Sequence, residues 1–499
     1  MTEHYSVLLI IIPFLSGLLI SIVGWYDQKK CYAIAILCLF LSIIISISLL
    51  LAVMQNGEAV RYRIGGWAPP WGIAYHVDYL NGIVLVVISM TSFLNLAGAR
   101  KVIEKEFSDR IGAFYTLYIL FTTGLLGMVV TGDAFNLYVL LEITSLTGYA
   151  LIGFGVNRAP LSALNYLLMG TIGASFYLLG VGYLYMGTGS LNMADIARLL
   201  PAIYHSRTVM FAFLLILCGL FVKMALFPLH GWLPNAYSDA PSISSGLIAP
   251  LTTKVMVYVM IRMVLTVFTP AFSFSFAALN STMVWVAVIG ILSGSMLALF
   301  QTRLKKMITY VIVTEIGYMV GGFWLGTRDG MTGAILHIVN DAMMTLCLFL
   351  SITLISYKIK GDRFSDFRGI FRKMPVTMTA FVVAALSIIG VPPTCGFFSK
   401  WYLISGGIAA GHYGFIAALL FSSLVNAVLF FRMIEIGYFE PFSDHGANSG
   451  HVPEVRMDEA PVSMLVPLMI TAAMLIVLGI FSGDIVTRAI QFAIPATII

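Results

Sequence analysis

The feature that most limits what this chain can fold into is the recurrence of apolar runs about 20 residues long, the length a helix needs to cross a bilayer. Fourteen lie at approximately 5–25, 32–54, 77–97, 111–130, 134–156, 161–187, 208–228, 244–268, 281–300, 307–326, 331–356, 375–410, 412–438 and 462–485. The run at 375–410 contains Pro392 and Pro393 and reads as one discontinuous span. Hydrocarbon leaves no backbone polar group a partner outside its own segment, which makes such runs helices. Only 10% of the 499 residues are charged, against about 25% in soluble domains. A water-soluble globule is excluded. The expected fold class is an all-α polytopic membrane protein of about 14 transmembrane helices, organised as a single transmembrane domain over 1–499.

The start, MTEHYS, has no basic residue before the first apolar run, so this span is expected to be retained rather than cleaved as a signal. Five cysteines lie apart, without a C-x-x-C, and read as small membrane-buried side chains with no metal or redox role. Alternating placement of the connections puts 18 basic residues on one side, among them Lys305, Lys360 and Arg456, and 7 on the other, among them Arg61 and Arg262. The richer side is expected in the cytoplasm, with both termini outside. Lys223, Lys254 and Lys400 fit neither side and fall within spans. The net charge of +5 is thus a topology signal, and nothing points to nucleic acid.

Connections are short apart from 55–76, 357–374 and 441–461, and no linker separates domains. Two blocks of five spans, 111–268 and 281–438, each hold an interrupted span with a lysine near a proline: Lys223 with Pro228, and Lys400 with Pro392–Pro393. An odd number of spans per block would make two five-helix repeats inverted in the membrane, a recurrent transporter plan with broken helices at its centre.

The stretch FVKMALFPLHGWLP, from Phe221, places Lys223 deep in an apolar run beside a helix breaker. A lysine at the bilayer centre costs roughly 2.5–3.5 kcal/mol on insertion scales. Irregular backbone at membrane depth survives only where protein or a water-filled cavity satisfies it. Charge and break explain each other if both face a hydrated interior. Glu142, Glu315, His337, Asp341 and Glu435 also fall in apolar runs. An ammonium in low dielectric gives up its proton more readily when its counter-ion withdraws; arginine cannot. All three cations assigned to spans are lysine. The competing reading for the lysines is snorkelling at span ends, and for Glu142 a static counter-ion. Asp133 reads as an end-cap. His337 and Asp341 share a helix face at i, i+4; with no third ligand near, they suit a proton relay better than a metal. His230, just past the break, either lines the exit or caps it.

At these residues the chain resembles a known family, the antiporter-like proton-translocating subunits shared by Mrp cation/proton antiporters, membrane-bound hydrogenases and respiratory complex I. The likeness spans roughly 75–435. FNLYVLLEITSLTGYALIGF looks like the family's fifth span, whose key glutamate falls on Glu142. KMALFPLHGWLPNAYSDAPSISSGL is similar to the broken seventh, giving Lys223 and His230. LTTKVMVYVMIRM looks like the eighth, giving Lys254. LHIVNDAMMTLCLFL resembles a broken eleventh, giving His337, and GVPPTCGFFSKWYL the twelfth, whose terminal lysine falls on Lys400. Two departures stand out. Asp341 replaces a usual second histidine and Thr345 a frequent lysine. Glu315 stands where an uncharged polar residue is usual, with Asp341 or a lysine as its expected partner.

The resemblance implies that Glu142, Lys223, Lys254, His337 and Lys400 carry protons, with His230, Glu315 and Asp341 as accessories. It implies a non-enzymatic subunit of a multisubunit Mrp-type sodium/proton antiporter in a prokaryotic cytoplasmic membrane, nearest the D-type subunit. A pumping subunit of a complex I-like or hydrogenase assembly is the alternative. Expected partners are other membrane subunits, protons, Na+ and lipid. The chain ends without the long C-terminal arm of the longest complex I type. No phosphate loop, dinucleotide fingerprint, haem or iron–sulfur ligand set appears, so no cofactor is expected. A solute transporter would need substrate-specific polar groups, whereas the buried set is mainly titratable; a mere scaffold would tolerate leucine at its lysines.

Overall fold

The computed structural model describes residues 3–359, 361–439 and 457–498. Lys360, Arg456 and most of the 441–461 connection lie outside them. The chain opens with α1 (Glu3–Tyr26) and α2 (Gln28–Asn56), followed by a two-stranded antiparallel hairpin, β1 (Val60–Arg63) and β2 (Ala74–Val77). Then come α3 (Tyr79–Glu106), α4 (Ile111–Val130), α5 (Ala134–Gly153), α6 (Ala159–Thr188), a short α7 (Met193–Leu199) and α8 (Arg207–Met224). A short α9 (Leu233–Asp239) leads into α10 (Ser242–Arg262), and α11 (Thr269–Ser273) into α12 (Ala277–Leu299), α13 (Leu304–Trp324) and α14 (Arg328–Lys358). The short α15 (Ile370–Lys373), α16 (Pro375–Ile389), α17 (Cys395–Ala409), α18 (Tyr413–Phe439) and α19 (Val462–Ile480) complete the bundle.

Among the described residues thirteen helices are long and apolar enough to cross a membrane. The remaining expected span is the pair α16 and α17, each of 15 residues. The protein is therefore an all-α polytopic membrane protein, with one small hairpin in the 55–76 connection. Burial grades sharply across the bundle. The apolar windows of α10 and α14 are 100% enclosed by other helices, whereas that of α1 is 22% enclosed. A helix surrounded by protein can carry charge that a lipid-facing one cannot.

Both interruptions follow from proline geometry. A proline lacks the N–H that would bond the carbonyl four residues back, and its ring crowds that carbonyl. The helix α8 ends at Met224, four before Pro228; α16 ends at Ile389, four before Pro393. The chain leaves α8 through Ala225 in the left-handed region (φ 60°, ψ 42°) and α16 through Gly390 (φ 94°). Left-handed backbone costs a residue with a Cβ roughly 1–2 kcal/mol, and such strain gathers at functional sites. Close packing holds α8 in place: a Cβ on Gly219 would lie 2.5 Å from the Gly173 carbonyl oxygen on α6.

Three expectations are corrected here. The span carrying His337 is not broken: α14 runs continuously for 31 residues and contains no proline. Glu435 is exposed near the end of α18 rather than buried. Arg262 does not belong to an exposed connection; it lies in the last turn of α10, 7% exposed, so the buried cations are not all lysine.

Candidate functional site: a buried chain of charges

The first station joins α5 and α8. Lys223 is 4% exposed and its Nζ lies 3.7 Å from Glu142 Oε1. The same ammonium donates to Ser145 Oγ at 2.7 Å, one helical turn along α5 from Glu142. Past the break, Trp232 Nε1 donates to the Val222 carbonyl (3.0 Å), and its ring stacks on Tyr166 with centroids 4.2 Å apart. Thus the last turn of α8 is braced by a side chain where the next helical turn is missing.

The second station lies between α10 and α14. Lys254 Nζ sits 2.9 Å from Asp341 Oδ2, and the two side chains are 2% and 1% exposed. Thr345 Oγ1 donates to the other oxygen of Asp341 (2.9 Å) and accepts from Lys254 at 3.5 Å. The aspartate and threonine in these two places therefore act together as the lysine's counter-group.

One turn back on α14, His337 serves the third station. Its Nε2 is 2.6 Å from Glu315 Oε2 on α13, and its Nδ1 is 2.8 Å from Ser399 Oγ on α17. Glu315 thus pairs with the histidine, and neither Asp341 nor a lysine, the partners expected for it, is its close contact. His337 and Asp341 share a face yet reach different partners, so α14 connects the second and third stations.

Lys400 forms the fourth. Its ammonium donates to the carbonyls of Ile388 (2.6 Å) and Ile389 (3.4 Å) and to Ser423 Oγ (3.1 Å). Those two carbonyls are the ones whose helical partners would have been the N–H groups of residues 392 and 393, both proline. The break thereby builds a cation seat, strengthened by the negative end of α16. Tyr318 closes it: Lys400 Nζ lies 5.1 Å from the ring centroid, and the ring stands edge-on to His337 at 5.7 Å.

All five residues expected to carry protons are thus in or beside stations of this chain, as are Glu315 and Asp341. His230 is set apart. It stacks on Phe227 (5.2 Å) near Tyr310, and among the described residues no hydrogen bond joins its ring to a lysine. Asp133 caps α5, accepting from the Asn136 N–H at 2.7 Å. No group of three or more His, Cys, Asp or Glu placed to hold a metal occurs among the described residues. Sequence reasoning missed the Arg262–Asp78 pair, with contacts of 2.6 and 2.8 Å. Its signal was present: VMIRMVLTV sets an arginine among apolar neighbours on both sides.

Interrupted helices around a buried row of lysine, histidine and carboxylate define a class of polytopic membrane protein with an ion-paired interior. Residues 131–426 match the family described as NADH:quinone oxidoreductase/Mrp antiporter, transmembrane, and the chain belongs to that family. It is 43% identical to NADH-quinone oxidoreductase subunit N of Desulforudis audaxviator, over 99% of both chains. It is 30% identical to the putative antiporter subunit mnhD2 of Staphylococcus haemolyticus, covering 97% of this chain and 95% of that one. Among solved structures, a chain of an archaeal membrane-bound sulfane sulfur reductase superposes with a TM-score of 0.88 at 27% identity, over 97% of this chain and 96% of that one. A chain of the Mrp complex from Dietzia sp. shares the fold, with a TM-score of 0.86 at 22% identity over 99% and 96% of the two chains. The chain is an antiporter-like, multi-pass membrane subunit of the kind found in Mrp and complex I-like assemblies.

Proposed function

We propose that this chain translocates protons along the row Glu142, Lys223, Lys254, His337 and Lys400, as one subunit of a larger prokaryotic membrane complex. The observation that carries the reading is the Lys254–Asp341 pair, buried at 2% and 1% exposure on the two helices most enclosed by protein. An ion pair so placed is weak as a device for stability, and intramembrane ionisable groups by default mark ion pathways. Withdrawing Glu142 from Lys223 loosens the proton on that ammonium. The proton passes towards Lys254, whose own proton moves on through Asp341 and His337 to Lys400.

Of the two hosts, a complex I-like assembly is favoured by the 43% identity to a subunit N against 30% to mnhD2. An Mrp-type antiporter, with Na+ moving oppositely, is the second reading, supported by the near-complete coverage of mnhD2. The blocks 111–268 and 281–438, each holding one proline break, are read as inverted copies. Without the buried Arg262 the loop residues divide 18 to 6, an asymmetry that supports both termini outside.

The test is Lys223→Ala in the purified whole complex, reconstituted in vesicles. Driven proton movement should be lost while subunit composition is unchanged; wild-type movement with the variant present would overturn the reading. Copurifying subunits identify the host. A cysteine at the exposed Ser365, in a background without native cysteines, should be labelled only from the cytoplasmic side, and labelling of intact cells by an impermeant reagent would reverse the orientation.

A further inference from the structure

Arg262 lies eight residues beyond Lys254 on α10, about 12 Å along the helix axis. Its two terminal nitrogens grip both oxygens of Asp78, Nη1–Oδ2 at 2.6 Å and Nη2–Oδ1 at 2.8 Å. Its Nε donates to the Tyr258 hydroxyl (3.2 Å), which donates in turn to the Val129 carbonyl (3.0 Å). Lys254, Tyr258 and Arg262 therefore stand on one helix face at successive four-residue steps. The Val129 carbonyl also accepts from Asn81 Nδ2 (3.1 Å), which reaches the His76 carbonyl (2.5 Å) on β2. Asp78 caps α3 and lies 3.6 Å from His76 Nε2.

Beside this cluster is a recess of about 130 Å³, lined in part by Arg61, His76, Thr131, Asn192, Arg262 and Thr266. Arg61 on the hairpin is exposed, and the recess runs from there to the guanidinium. Directly beyond Arg262 the helix widens into a π-helical turn, Met263–Val267, a local form that recurs at functional sites.

We propose that this recess is an extracytoplasmic ion vestibule, and that the Arg262–Asp78 pair with Tyr258 seals it from Lys254. The assignment rests on the proton row and the orientation given above. Arg262, Asp78 and Tyr258 are each committed to bonds that do not pass a proton to Lys254. The guanidinium holds its proton at any relevant pH. Both oxygens of Asp78 are occupied by guanidinium N–H groups. Tyr258 must accept from Arg262, which is a donor only, and its one hydrogen goes to a backbone carbonyl, an acceptor only. A proton on Lys254 meets a dead end within about 12 Å of an outward-facing opening, and so stays on the row towards Lys400.

The test measures passive proton permeability of vesicles containing the whole complex, after an external acid step with no driving substrate. Arg262→Gln should raise the leak several-fold, and adding Lys254→Leu should return it to the wild-type level. Asp78→Asn with Arg262→Gln leaves no unpaired buried charge and should leak as well. In a background without native cysteines, Thr266→Cys should react with an impermeant thiol reagent applied from outside. Assembled variants with wild-type permeability, a leak indifferent to Lys254→Leu, or an unreactive Thr266→Cys would each overturn the seal. Failure of both Arg262 variants to assemble would make the pair a structural clasp and overturn it too. If Lys223→Ala abolishes driven transport while Arg262→Gln stays tight, the proton row stands and the seal alone is discarded.

Discussion

Lys223–Glu142 and Lys254–Asp341 are chemically the same pair in two different settings. The first is open at 3.7 Å, its glutamate side chain is 27% exposed, and Ser145 shares the ammonium. The second is closed at 2.9 Å, with both side chains nearly inaccessible and a threonine on the remaining carboxylate oxygen. A pair this far apart, whose ammonium already has a second partner in Ser145, gains less from its contact, so a modest movement of α5 or of a neighbouring subunit can part it. A tight buried pair gives up far more when one partner goes, because a charge is stranded in low dielectric. The difference suggests a division of labour, in which the Glu142 pair responds and the Asp341 pair stores.

The comparison breaks first at stability. Asp341→Leu should strand the Lys254 ammonium and cost about 3–5 kcal/mol, read as lost assembly or a large fall in the unfolding temperature of the complex, with proton movement abolished. Glu142→Gln, which keeps an amide oxygen beside Lys223 and leaves its Ser145 hydrogen bond in place, should cost clearly less. Equal destabilisation by both would remove the distinction. Lys254→Leu with Asp341→Leu should recover most of the stability, since apolar replacement of a whole buried pair is often neutral or favourable. It should recover no transport. A transporting double variant would take Lys254 out of the row.

How far this arrangement was legible in the sequence depended on whether a residue's meaning was local. Lys223, Lys254 and Lys400 stood out because an ammonium in an apolar run is costly whatever surrounds it, and the prolines marked the breaks because their effect reaches only four residues back. The partner of Glu315 was not legible: Asp341 and three lysines were available, and the choice of His337 is made by the packing of α13 against α14. The supposed break near His337 came from resemblance, with no proline or glycine in ILHIVNDAMMTLCLF to cause one. Arg262 was misplaced because its position near a span end suggested a loop, while its partner Asp78 lies 184 residues away in the chain.

Substitutions at Glu142 sharpen the contrast at intermediate effect. If the carboxylate's charge governs Lys223, Glu142→Gln should impair proton flux nearly as much as Glu142→Ala, while Glu142→Asp, with the charge on a shorter arm, keeps part of it. Glu142→Gln combined with Lys223→Ala should be no worse than Lys223→Ala alone, because residues acting as a unit are non-additive. A packing role gives the opposite order, with glutamine mildest. Smaller still is Ser145→Ala, which removes one hydrogen bond from Lys223, worth about 1 kcal/mol net. Flux should change by a few-fold without loss of assembly, and an unchanged flux would mean that the hydroxyl has no share in holding the proton.

The smallest expected effect belongs to the Arg262–Asp78 pair, the arginine counterpart of the two lysine pairs. Burial alone would raise the Asp78 carboxyl, but the guanidinium beside it outweighs burial and holds it well below the usual carboxylate range. His76, the other ionisable group close to it, favours the carboxylate further when protonated. For a group whose folded-state value is depressed, the stabilisation is fully present above the unfolded value, about 3.9 for aspartate. It is lost only as the pH falls through the lower folded value. Lowering the external pH from about 8 to about 5 therefore stays above that range and should leave the pair, the passive permeability and its share of stability unchanged. A passive leak that appears on mild acidification would show that Asp78 releases Arg262 there, and the arginine pair would then be a switch like the lysine pairs rather than a lock.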